Sequence, residues 1–198
     1  MNVDGVILAA GYSSRANAFK MELKINNKPI LKRCIESLYD ECNKIIVVSG
    51  YQQEKIHKLV EGYSKVKVVF NEDFHKGMFS SVKKGIQYVE EKRFLITPGD
   101  YPLIKKDVVK RIVVEDGEVI IPSFNNRGGH PILIKSKFID EILKENDDSN
   151  LKKYLSTKKC KYLNIKDKWI LMDVDTQEDY IAIRKEAKKS CLFLDTKV

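Results

Sequence analysis

The chain has 198 residues, 43% of them hydrophobic and 32% charged, and carries a formal charge of +8. Such a length suits one domain with a substantial core, and an ordinary composition without low-complexity tracts or Pro/Gly-rich linkers excludes a disordered protein. The positive balance is compatible with nucleic acid, an anionic membrane surface or a phosphate-rich small substrate, and charge alone does not choose among them.

In chain order, runs rich in β-branched residues predict strands at Val3 to Ala9, Lys44 to Ser49, Val66 to Phe70, Arg93 to Thr97, Val119 to Pro122 and Pro131 to Ile134. The first run is only about seven residues, too short for a signal peptide or a membrane span, so a cytoplasmic protein with no membrane partner is expected. Between the strands, Ile30, Leu31, Cys34, Ile35 and Leu38 share one helical face. So do Met78, Phe79, Val82, Ile86 and Val89, and the pattern repeats at Val108, Val109, Ile112 and Val113. This alternation predicts an α/β fold: a mostly parallel sheet with helices on both faces, because each parallel crossover needs a covering element. The last third reads as a helix from Ser136 to Glu145, another from Asn150 to Ser156, a strand from Trp169 to Asp173 and a closing helix. Thr176 and Asp179, three apart, have the spacing of a capping box that starts it.

Cys34, Cys42, Cys160 and Cys191 show no CxxC spacing and no partnered His motif, so they are read as reduced, mostly buried thiols. Lysines concentrate modestly at Lys152, Lys153, Lys158, Lys159 and Lys161. No interleaved aromatics mark an RNA-binding surface there, so a solvated face and no nucleic-acid partner are expected.

The stretch "VILAAGYSSRANAFK", Val6 to Lys20, is an apolar run that breaks into small residues and two separated cations. In such a sheet ligands sit outside the carboxyl ends of the strands, so the loop from Ala10 to Lys20 lies where a phosphate-bearing ligand would bind. Small residues let backbone N–H groups approach oxyanions, while the Arg15 fork and the mobile Lys20 ammonium could close on a triphosphate from two sides. The loop is neither GxGxxG nor GxxxxGK[ST], so the dinucleotide and Walker motifs do not apply.

"LAAGYSSRANAFK" resembles the signature LAAGxSxRxGxxK of the MobA-like nucleotidyltransferases, particularly their molybdenum cofactor cytidylyltransferase branch. "NEDFHKGMFSSVKKGI", "ITPGDYPLI", "RGGHPIL" and "MDVDTQEDY" resemble further blocks of that family, in its order. The resemblance implies a Rossmann-like three-layer sandwich that joins a nucleoside triphosphate, CTP by preference, to a phosphorylated acceptor with loss of pyrophosphate. In that branch the acceptor is molybdopterin, and a molybdoenzyme or its maturation chaperone would be a further partner. One nucleotidyltransferase domain over residues 1–190 is expected, with a nucleotide-binding half to about 120, an acceptor-side half beyond it and a tail at 191–198.

Carried over residue by residue, the resemblance assigns Leu8, Ala9, Ala10, Gly11, Ser13, Arg15, Lys20, Gly77, Ser80 and Ser81 to the nucleotide. Arg15, Lys20 and Asp100 become catalytic. Asp100 and Asp175 become ligands of Mg²⁺, with Asp175 preferred to Asp173 and helix capping as the rival role of the DTQED segment; hard carboxylate oxygens suit that ion. Gly129 and His130 fall on the acceptor side. Asn17 replaces the signature's second glycine, and "ENDDSNLKK" stands where the branch carries Gly-Asp-x-Gly-Ala-Arg, so a different acceptor pocket is expected. A transferase acting on a sugar phosphate, and a nucleotide-binding accessory protein, are the alternatives.

Overall fold

The computed structural model describes residues 3–12 and 19–192, with side chains described through 188. The strands are β1 (Val3–Leu8), β2 (Lys24–Ile25), β3 (Lys28–Pro29), β4 (Ile45–Ser49), β5 (Val66–Phe70), β6 (Arg93–Pro98), β7 (Val119–Phe124), β8 (Arg127–Gly128), β9 (Ile132–Lys135) and β10 (Cys160–Asn164). The helices are α1 (Ile30–Leu38), α2 (Gln53–Val60), α3 (Met78–Ile86), α4 (Lys106–Val114), α5 (Ile139–Lys144), α6 (Leu151–Leu155) and α7 (Gln177–Leu192).

Every side chain of β1 is buried: Val3 and Ile7 face one apolar layer, Val6 and Leu8 the other. A strand covered on both faces reads as an apolar run, which is how Val6 to Ala10 appears in the sequence, while the buried Asp4 near the strand's start accepts from Glu90 N at 2.8 Å and Glu91 N at 3.2 Å. The main sheet runs β10-β7-β9-β6-β1-β4-β5, with β8 hydrogen-bonded to β7. Neighbours pair in parallel except where β9 lies antiparallel to both β6 and β7, and where β8 folds back on β7. Helices α1, α2, α4 and α7 supply one layer and α3, α5 and α6 the other, which makes the α/β three-layer sandwich.

The helical faces pack largely as their spacing predicts. Ile30, Leu31, Ile35 and Leu38 of α1 are fully buried, each contributing roughly 1.5–3 kcal/mol of hydrophobic stabilisation. Met78 departs from its predicted face: it is 63% exposed at the first position of α3. The described cysteines are free thiols, with Cys34 and Cys42 buried and Cys160 partly so.

The strand predicted at Trp169 to Asp173 is instead a 3-10 turn over Lys168–Leu171. Asp167 accepts a hydrogen bond from Trp169 N at 3.1 Å and starts the turn, while Ile170 O receives His130 N at 2.9 Å. Backbone groups that a strand would give to a ladder go instead to the Asp167 side chain and to the His130 backbone. The helix predicted from Ser136 opens as a 3-10 turn, Ser136–Phe138, before α5. β2, β3, β8 and β10 were not among the predicted strands; the first two form one hairpin, and β8 forms a second with β7. Both hairpins turn on Asn-Asn pairs with positive φ, Asn26-Asn27 and Asn125-Asn126, the geometry of tight turns whose twist matches their strands.

Among the described residues no helix is long and apolar enough to cross a membrane.

Candidate active site

After β1 the chain proceeds through α1 to β4 and then β5 on one side, and it returns to β6 on β1's other side. The connections leaving β1 and β6 diverge, so a crevice opens beyond their carboxyl ends. Gly99 N donates to Leu8 O at 2.8 Å, joining the two strand ends, and the buried Cys34 thiol donates to Gly99 O at 3.0 Å. Burial pushes that thiol's pKa up, so it stays a protonated donor.

A carboxylate cluster stands at this junction. Asp100 stands just past the end of β6, after Gly99. The segment before α7 is drawn to it by Val174 N, which donates to Asp100 O at 3.0 Å, so Asp173 and Asp175 flank the contact. Each of Asp100, Asp173 and Asp175 offers a carboxylate oxygen, all within 4.8 Å of one another. Lys20, in the 3-10 turn Lys20–Glu22, extends into the group: its Nζ lies 2.7 Å from Asp175 Oδ1 and 3.4 Å from Asp100 Oδ2. The capping box holds the segment from behind. Asp179 accepts from Thr176 N at 2.8 Å and Asp175 N at 3.2 Å, while Thr176 Oγ1 accepts from Asp179 N at 3.1 Å. Capping and cluster formation therefore coexist, because different residues of the segment do each.

Burial raises the Asp100 carboxyl to about 6, with Lys20 pulling the other way and Asp173 adding repulsion. Burial also raises Asp173 and, more strongly, the Tyr101 hydroxyl, which both Asp173 and Asp100 push further. Asp100 Oδ1 is buried with no hydrogen-bond partner among the described residues. An orphaned carboxylate oxygen amid two further carboxylates fits a hard divalent cation, which takes oxygen ligands.

Two cavities meet here. The smaller, about 320 Å³, is lined by Ala9, Ala10, Gly11, Lys20, Gly77, Ser81, Asp100 and Asp175. The larger, about 850 Å³, lies between α3, α6 and the sheet and contains Gly129 and His130 in its wall. Leu8, Met78 and Pro98 line both. Gly129 is fixed by space: a Cβ there would stand 2.3 Å from Ile170 O. The His130 ring packs 4.8 Å from Tyr101, and burial lowers its pKa to about 4, so the imidazole is neutral at pH 7.

Most of the residues assigned to the nucleotide and metal from sequence thus converge on the smaller cavity. Ser80 lines neither cavity; its hydroxyl donates to Asp73 O and Gly77 O, both at 2.8 Å, and works in the helix start. Ser13, Arg15 and Asn17 lie outside the described residues. Asp173, passed over in favour of Asp175, stands in the carboxylate group beside it. Its signal was the spacing: two residues apart in extended chain, the two acids share a side. Tyr12, which packs on Tyr51 at 5.4 Å and Phe74 at 5.2 Å at the cavity rim, was also missed.

The MobA-like NTP transferase domain matches residues 5–162, and the chain belongs to that family. It is 29% identical over 185 residues to the molybdenum cofactor cytidylyltransferase of Escherichia coli (strain K12), covering 92% of this chain and 96% of the relative. A nucleotidyl transferase from Methanothermobacter thermautotrophicus superposes with a TM-score of 0.84 at 19% identity, over 95% of this chain and 98% of that one. A Mycobacterium tuberculosis H37Rv protein solved in complex with manganese superposes with a TM-score of 0.76 at 19% identity, over 92% and 98% of the two chains.

Proposed function

We propose that the protein transfers CMP from CTP to molybdopterin, with a divalent cation, Mg²⁺ by preference, held by Asp100, Asp173 and Asp175. The observation that carries this reading is the Lys20 ammonium among three carboxylates at the seam of two cavities, one sized for a triphosphate and one for an acceptor. The cytidylyltransferase relative supports the choice of nucleotide and acceptor, and the manganese complex supports a divalent metal.

A phosphate oxygen of the acceptor would attack the α-phosphorus of CTP. A new P–O–P linkage forms, the bond from the α-phosphorus to its β-bridging oxygen breaks, and pyrophosphate leaves with the electron pair. No protein nucleophile is required, so positioning and charge carry the catalysis. The small side chains of Ala9, Ala10 and Gly11 let the triphosphate approach the backbone. Lys20 can exchange a carboxylate for a phosphate oxygen and hold its charge through transfer. The cation, when bound, neutralises charge that accumulates on the departing pyrophosphate.

The test incubates the purified chain with each nucleoside triphosphate, Mg²⁺ and molybdopterin, and measures pyrophosphate. Release with CTP and molybdopterin alone is expected, and Lys20→Ala should lower it on the order of a hundredfold, as removing a preorganised donor does. Equal release with GTP, or release with sugar phosphates and none with molybdopterin, overturns the reading.

A further inference from the structure

We infer that His130 selects the molecule in the larger cavity by the sense of one hydrogen bond: Nδ1 accepts from an N–H or O–H of that molecule and disfavours one that turns only lone pairs toward it. The inference rests on the proposed function above, whose acceptor would occupy this cavity, and adds a specificity-determining residue to it.

The imidazole has little freedom to turn. Its backbone is held where His130 N donates to Ile170 O at 2.9 Å and the preceding Gly129 N donates to Pro122 O at 2.8 Å. The Tyr101 ring packs against it at an interplanar angle of 60°. The imidazole also bonds the carbonyl of Ile96, the residue at which the pairing of β6 with β9 ends. A carbonyl only accepts, so a ring N–H points at it. Nδ1 has no hydrogen-bond partner among the described residues, so the nitrogen that donates to Ile96 O is Nε2. In a neutral ring Nδ1 then carries a lone pair.

Nδ1 is also shielded from bulk water, although His130 as a whole is only half-buried in the cavity wall. The other polar side chains of this wall are engaged or solvated. Asn150 accepts from Lys153 N at 2.8 Å, Ser156 Oγ donates to Lys153 O at 2.7 Å, and the Cys160 thiol donates to Leu155 O at 3.3 Å. Lys158 pairs with Glu141, while Asn126, Lys152 and Tyr162 are exposed and keep their water. His130 Nδ1 has neither form of compensation. A buried acceptor without a partner costs free energy until a donor reaches it, and a molecule bound in the cavity can bring one. An ether or carboxylate oxygen at that point sets lone pair against lone pair and leaves the cost in place. The ring has no escape by rotation, because turning Nε2–H into the cavity would leave Ile96 O without its donor.

The experiment uses the full chain and two probes: 6-methylpterin, whose pyrimidine edge carries an amide N–H and an amine, and its analogue methylated at those nitrogens so that no N–H remains. Nitrogen-15 spectra of the histidine rings, assigned with His57→Gln and His75→Gln at two exposed positions, should show His130 with Nε2 protonated and Nδ1 bare. Saturating 6-methylpterin should move the Nδ1 resonance upfield, the direction taken when a bare ring nitrogen accepts a hydrogen bond, and the methylated analogue should leave it in place. By fluorescence quenching, His130→Phe should weaken 6-methylpterin roughly tenfold, as loss of one hydrogen bond to a buried group does, and leave the analogue's affinity unchanged. A merely structural role would weaken both probes alike or neither. A ring protonated at Nδ1, an Nδ1 resonance that 6-methylpterin does not move, or equal effects of His130→Phe on the two probes overturns the assignment. His130→Phe also withdraws the donor to Ile96 O, so if that variant does not fold, the wild-type ring spectra decide alone. Pyrophosphate is not read in these measurements, so failure of CMP transfer and failure of this contact are separate outcomes.

Discussion

At the scale of one residue, Asp100 carries a buried charge at a cost to the fold. Its carboxyl rises from 3.8 to about 6 because burial disfavours the charged form more than Lys20 favours it. A folded pKa above the unfolded one contributes stability that is fully present below 3.8 and is lost as pH rises through about 6. Asp100→Asn removes that loss. The difference in melting temperature between variant and wild type, without ligand, should therefore become more positive from pH 4 to pH 8. The 2.7 Å contact between Lys20 and Asp175 remains to hold the site. Turnover should fall on the order of a hundredfold in the same variant. A parallel pH dependence in the two proteins would show that buried charge at Asp100 is not the source. Asp173 shows the limit of reading residues singly: as letters it is equivalent to Asp175, and only the contact of Val174 with Asp100 brings both acids to one place.

At the scale of elements, α3 is the helix that both cavities share, and its distance from the sheet is set by Gly85. A Cβ there would stand 2.6 Å from Val6 Cγ1 and 2.7 Å from Val48 Cγ2, so the helix lies against β1 and β4 with no room for a methyl group. Gly85→Ala should cost about 1–3 kcal/mol by overpacking. It should also displace Met78 and Ser81 at the helix start, weakening nucleotide binding although neither cavity is lined by Gly85. Chemical denaturation and nucleotide titration check the two halves; unchanged stability would show that α3 shifts at no cost. Most elements were legible because burial on both faces writes long apolar runs. β10 was not: CKYLN is an edge strand with mostly exposed or partly exposed side chains, and nothing in its pattern demands a sheet. The hairpins left a signal in their Asn-Asn pairs, which is weaker than Asn-Gly because only the backbone tolerance of asparagine marks it.

At the scale of the whole molecule, the site joins segments that lie 80 and 155 residues from Lys20 along the chain. Ligands that bind it hold the β6 end, the turn at Lys20 and the start of α7 together, so they should stabilise the fold as one unit. At a hundred times the dissociation constant a ligand adds about 2.7 kcal/mol. Mn²⁺ alone should raise the melting temperature little, because the Lys20 ammonium already occupies two of the three carboxylates. CTP with Mn²⁺ should raise it by more than the sum of the separate shifts, since the triphosphate draws Lys20 away and adds oxygen ligands. Additive shifts, or a strong shift with Mn²⁺ alone, would contradict that coupling.

By itself the sequence determined the α/β class and the layers, and it singled out the segment after β1, whose Ala9, Ala10, Gly11 and Lys20 line the smaller cavity. Those are local quantities: apolar runs, helical spacing and small residues next to cations, each recorded within a few neighbours. Tertiary structure alone decided that Asp173 joins Asp100 and Asp175, that Ser80 serves the helix start, that residues 168–171 turn instead of extending, and that Lys152 and Tyr162 face one cavity. The physical reason is that these outcomes depend on which distant backbone groups and charges meet. A carboxylate or a lysine carries no mark of its partner until the sheet order brings the two together.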